Sequence, residues 1–141
     1  MQDSPVGSQE PATGTELALD ELLSCENLAG VRREIARVLT GTDQDWVRDV
    51  QLVATELASN ACEHADDPRH LRLCRGTGQH DQTLLIEVWD ATPDRAPEVG
   101  RSSLGEHRGR GMTLVTKLCD DWGVRMDSSR KVVWGRMRVI R

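Results

Sequence analysis

Glu56, Asn60 and His64 recur at four-residue intervals within LVATELASNACEHADD, residues 52–67. Leu, Ala and Glu dominate this segment and neither Gly nor Pro interrupts it, so a helix is predicted. On a helix these three side chains stack on successive turns, beside an apolar stripe of Val53, Leu57 and Ala61. The plain reading is a solvated helix flank. The chemical reading is an amide oxygen at Asn60 offered to a Mg²⁺ that keeps most of its waters. Glu56, one turn earlier, would then orient or deprotonate a nucleophile.

Two further stretches carry chemistry. In LLIEVWDATP, Asp90 stands where an apolar strand ends. A carboxylate there can accept a hydrogen bond from an amine at the floor of a pocket, or simply start an Asx-type turn. In RGRGMTLV (108–115), Gly109 and Gly111 permit close backbone approach. A helix beginning near Gly111 would point free amides and the positive end of its dipole outward. With Arg108 and Arg110 as local cations, that suits a phosphate; an ordinary loop-to-helix turn is the plain alternative.

The elements that must hold these residues follow from periodicity. Residues 1–14 are rich in Ser, Pro, Gly, Gln and Thr and read as a flexible tail, followed by one domain over 15–141. ELALDELL (16–23) reads as an edge strand. A helix is predicted over about 26–39, with Leu28, Val31, Ile35 and Val38 inward and Arg32, Arg33 and Arg37 in water. Thr42 or Asp43 can cap a second helix over about 44–65, with Trp46, Val50, Val53, Leu57 and Ala61 buried. PRHLRLCRG and QTLLIEVWD read as adjacent antiparallel strands, with Leu84, Ile86 and Val88 on one face. Residues 91–110 show no apolar period, and a loop of that length is usually functional or mobile. A short helix with Met112, Val115 and Leu118 inward precedes two closing strands, WGVRMDSS and KVVWGRMRVI. This order predicts an α+β two-layer sandwich, helices on one face of a mixed, mainly antiparallel sheet.

Composition narrows the function classes. The chain has 141 residues, 38% hydrophobic and 29% charged, which fits a soluble globular protein. With four Trp and neither Phe nor Tyr, the core must be aliphatic, and Trp46, Trp89, Trp122 and Trp134 read as packing residues. A net charge of −5 argues against a general nucleic-acid binder but leaves room for a small anion held by local arginines. Cysteines at 25, 62, 74 and 119 form no C-x-x-C pair and read as passive, reduced and mostly buried thiols of a cytoplasmic protein. Neither a signal segment nor a membrane span is visible. His70, His80 and His107 read as exposed.

Taken in order, ELASNACEHA, EVWDATP and GRGMTLV resemble the N, G1 and G2 boxes of the GHKL ATPase/kinase superfamily. The chain from about residue 16 to 140, ending in WGVRMDSSRKVVWGRMRV, is similar to its small stand-alone members. These are the anti-sigma-factor serine kinases of the RsbW and SpoIIAB type. The resemblance implies a Bergerat ATP-binding fold, with ATP and Mg²⁺ as cofactors. It implies Asn60 as the Mg²⁺ ligand, Glu56 as general base toward a serine of a partner, and His64 near the phosphates. It implies Asp90 on the adenine amino group, Thr92 beside it, and a lid over about 91–108. Arg108, Gly109, Arg110, Gly111 and Met112 would meet the phosphates. The implied partners are a sigma factor and an anti-sigma-factor antagonist, with a homodimer by analogy. The alternative is a module that binds ATP and holds a partner without kinase activity. This chain departs from the family pattern at Thr92, where a Gly is usual, at Arg130 in place of a Gly, and at Val132. Val132 reads as standing where the family has a Thr that helps fix adenine.

Overall fold

The structure is a computed structural model that describes residues 14–92, 106–127 and 129–140, with the side chains of 80, 106–111 and 127 also left out of the description. The expected tail and most of the expected lid, residues 1–13 and 93–105, lie outside it. The order of elements is β1 (Thr15–Leu22), α1 (Leu28–Val38), α2 (Gln44–His64), β2 (His70–Gly76), β3 (Thr83–Asp90), α3 (Glu106–Leu118), β4 (Asp121–Asp127) and β5 (Arg130–Arg138). The strands form one sheet in the order β1-β2-β3-β5-β4, and every described pairing is antiparallel. Helices pack on one face, giving the α+β two-layer sandwich. No helix among the described residues is long and apolar enough to cross a membrane.

Local sequence explains the helices. The Asn27 side chain accepts a hydrogen bond from the Gly30 amide and caps α1. Asp43 accepts from the Trp46 amide at 2.9 Å and caps α2. The expected stripe of α2 is buried throughout, from Trp46 through Val50, Val53 and Leu57 to Ala61. It meets Leu71, Leu73, Leu84, Ile86, Val88 and Val133 from the sheet, with Met112 and Val115 of α3 completing the core. Gly135 permits this approach: a Cβ there would come within 2.8 Å of Cys119 Sγ.

The sheet's other face is charged where an apolar layer might have been expected. Arg72 and Glu87 are each 1% exposed there. Glu87 accepts from Trp89 Nε1 at 3.0 Å and from Arg125 Nη2 at 3.2 Å. The guanidinium carbons of Arg72 and Arg125 lie 5.4 and 5.5 Å from the Trp89 ring centre. His70, expected in water, is instead half-buried, with Nδ1 2.9 Å from Asp20 Oδ1. Antiparallel pairing of β1 with β2 brings that partner in from fifty residues away. The side chains of His80 and His107 lie outside the described residues.

The cysteine reading needs correction. Cys25 and Cys62 form a disulfide, with Cα atoms 5.8 Å apart. It joins the β1–α1 connection to the last turns of α2, a contact that packing creates and sequence spacing does not reveal. Cys74 and Cys119 are buried free thiols, as expected. The cysteines as a set therefore lend no support to a reducing compartment.

Candidate functional site

The C-terminal half of α2 carries Glu56, Asn60 and His64 at intermediate exposure, flanking the fully buried stripe. That is the rim position expected from helical stacking. The helix ends at His64, and Arg69 folds back to close it. Its Nε donates to the Ala61 carbonyl at 3.1 Å and its Nη2 to the Ala65 carbonyl at 2.5 Å. A cation at these carbonyls also complements the helix dipole. His64 Nε2 lies 3.9 Å from Glu63 Oε1.

Asp90 is the last residue of β3 and only 1% exposed. Its Oδ1 accepts from the Thr92 amide at 2.7 Å. The Thr92 hydroxyl in turn accepts from the Asp66 amide at 2.7 Å, and the Ala91 amide donates to the Asp66 carbonyl at 3.2 Å. These bonds pin the end of β3, and Asp90 with it, to the segment leaving α2. A glycine at position 92 would leave the Asp66 amide without that acceptor, so the departure at Thr92 has a structural function.

Asp90 Oδ2 accepts no hydrogen bond among the described residues. It faces Lys131 Nζ at 3.6 Å, beyond hydrogen-bond length. Burial pushes the Asp90 carboxyl above its ordinary 3.8, while the Thr92 amide, Lys131 and Arg69 pull the other way. A buried carboxylate oxygen with its acceptor capacity unspent is suited to a ligand amine.

The strand register corrects one expectation. Asp90 pairs with Lys131, and Trp89 pairs with Val132. Directly paired residues point to the same face, so Lys131 lies beside Asp90 while Val132 sits on the charged face with Trp89. Val132 is therefore not the late-strand residue facing the site. Lys131 is, and sequence reading missed it because Val132 and Val133 are both apolar and hide the alternation.

The glycine turn is corrected too. Helix α3 begins at Glu106, so Arg108, Gly109, Arg110 and Gly111 form its early turns and do not precede it. Glycine lowers helix propensity by only about 1 kcal/mol, and packing of the following turns outweighs that. Met112 is fully buried in the core, so its side chain serves packing. The side chains of 108–111 lie outside the described residues.

A metal on protein ligands alone finds no home: among the described residues no three His, Cys, Asp or Glu cluster to hold one. Asn60 suits a Mg²⁺ that takes its remaining ligands from water and phosphate.

Comparison with known proteins agrees with this geometry. The family described as "Histidine kinase-like ATPase domain" matches residues 15–137. No curated protein matches. Among solved structures, the RsbU and RsbW domains of Rv1364c from Mycobacterium tuberculosis superpose with a TM-score of 0.62 at 16% identity. The match covers 87% of this chain and 32% of that one, so this chain spans about a third of that protein's crystallised length. At that identity the likeness speaks to the fold.

Proposed function

Because the chain belongs to the histidine kinase-like ATPase domain family, we propose that it is an ATP-dependent anti-sigma factor and protein serine kinase. It holds a sigma factor and phosphorylates a serine of an antagonist protein. The observation that carries the nucleotide part is Asp90: nine-tenths and more buried, pinned beside α2, with Oδ2 accepting no hydrogen bond among the described residues. An exocyclic amine is the complementary donor. The partner assignment rests on the box order and on the fold shared with an RsbW domain.

The residues divide the work as phosphoryl transfer requires, by positioning and charge neutralisation. Asp90 fixes the base, and Thr92 holds Asp90 and the β3 end in place. Asn60 supplies an amide oxygen to Mg²⁺, and His64 lies near the phosphates. Bound Mg²⁺ neutralises phosphate charge. Glu56 orients the incoming serine hydroxyl and takes its proton as the serine oxygen bonds to the γ-phosphorus and ADP leaves. Helix α3 opens at Glu106, and its first amides, those of residues 106–109, offer donors to anions, with Arg108 and Arg110 in the same early turns. The protein acts as a dimer, by analogy of fold.

The test combines the protein, Mg²⁺, γ-labelled ATP and the candidate antagonist. Labelled serine on the antagonist is expected, with a loss of at least about a hundredfold for Glu56→Gln and little change in ATP affinity. ATP binding without any labelled serine would instead identify a module that holds its partner without transfer.

A further inference from the structure

Arg69 stands just before β2 with its side chain 14% exposed, and each nitrogen of its guanidinium is engaged. Nε donates to the Ala61 carbonyl at 3.1 Å, Nη2 to the Ala65 carbonyl at 2.5 Å and Nη1 to Asp67 Oδ1 at 2.6 Å. Its own carbonyl accepts from the amide of the buried Leu23 at 2.8 Å, which ties the root of the side chain to the residue after β1. An arginine fixed at its backbone and at all three nitrogens is no free surface cation; its ordering serves the groups it holds.

The two gripped carbonyls belong to the residues that directly follow Asn60 and His64, at the same four-residue spacing. Helix ends fray, and the last carbonyls have no partner within the helix. A rigid, planar fork spanning both carbonyls sets the pitch of this last turn, and with it the placing of Asn60 and His64. We infer that Arg69 is a positioning residue, acting through α2 to hold Asn60 and His64 in the geometry that takes Mg²⁺ and phosphate. Arg69 lies outside the three boxes, and its part rests on the ATP reading above. Charge and position predict opposite signs here. Arg69 is a cation whose charge reaches the Asp90 carboxylate. By charge alone it would favour free ATP over the less anionic Mg²⁺ complex, so removing it would enlarge the gain in affinity that Mg²⁺ brings. By position it readies Asn60 as a ligand, so removing it would shrink that gain.

Calorimetry of ATP binding, once with Mg²⁺ and once with EDTA, measures that gain for the intact chain, Arg69→Met and Arg69→Lys. Residues that orient a metal ligand govern about tenfold to a hundredfold in metal affinity. Arg69→Met should therefore lose about tenfold or more of the Mg²⁺-dependent gain, while ATP in EDTA binds nearly as it does to the parent. Arg69→Lys keeps the charge and the stem without the fork, should lose most of the gain as well, and decides the matter if Arg69→Met does not fold. An undiminished or larger gain in either variant overturns the inference. So does an equal fall with and without Mg²⁺, which would mark a residue that only supports the fold. Parent protein that binds ATP equally with and without Mg²⁺ would sink the placing of a metal on Asn60, and the inference with it. Parent protein that binds no ATP would sink the nucleotide reading itself, a result distinct from ATP binding that ignores Arg69.

Discussion

Asp90 shows how a single site residue can work against the fold that holds it. Its buried carboxyl titrates above 3.8 because desolvation outweighs the Thr92 amide, Lys131 and Arg69. An acid whose native pKa is raised keeps its proton in the folded state after the unfolded chain has lost it. Its contribution to stability therefore falls as pH rises from 3.8 through the native value, and levels off above that. Urea unfolding of parent and Asp90→Asn across the acidic range should show this slope in the parent and lose it in the variant. Asp90 and Thr92 were legible in the sequence as a carboxylate closing an apolar strand and the residue two places on. What each oxygen does was not, since the Thr92 hydroxyl bonds an amide twenty-six residues away. Lys131 was passed over for the same reason: nothing local marks which of two neighbouring β5 residues turns toward the helices.

Among the elements, α2 was the most readable. Its cap, its buried stripe and its polar rim all follow from residues within the helix, and Asp43, Leu57 and Asn60 stand where periodicity puts them. The start of α3 was less so, because two glycines suggest a turn that continued helical packing overrides. The disulfide between the β1–α1 connection and α2 joins residues 37 apart. In the chain-entropy account, closing such a loop is worth about 4 kcal/mol. Reduction, or Cys25→Ser, should lower the denaturation midpoint accordingly. Burial raises the thiols of Cys74 and Cys119 to about 11, leaving them protonated and shielded at neutral pH. After reduction of the native protein, iodoacetamide should mark Cys25 and Cys62 first, and peptide mass spectrometry would reveal any other order.

Over the whole molecule, the sheet separates two chemistries. One face packs on helices and ends in Asp90 and Lys131; the other carries Glu87, Trp89, Arg72 and Arg125. Glu87→Ala would take their shared acceptor from the buried Trp89 indole and the half-exposed Arg125, and should cost about 1–2 kcal/mol. Because that network lies on the sheet face opposite Asp90, ATP affinity should be unchanged, which calorimetry beside urea unfolding would check. The order of elements, the aliphatic core and the candidate residues Glu56, Asn60 and Asp90 were determined by the sequence alone, because caps, apolar periods and box order act within short stretches of chain. The disulfide partners, the Thr92 tether and the placing of Lys131 beside Asp90 were decided only by the tertiary structure. Each depends on which distant residue the strand register and helix packing bring opposite, and a one-residue shift in register would have set Val132 there instead.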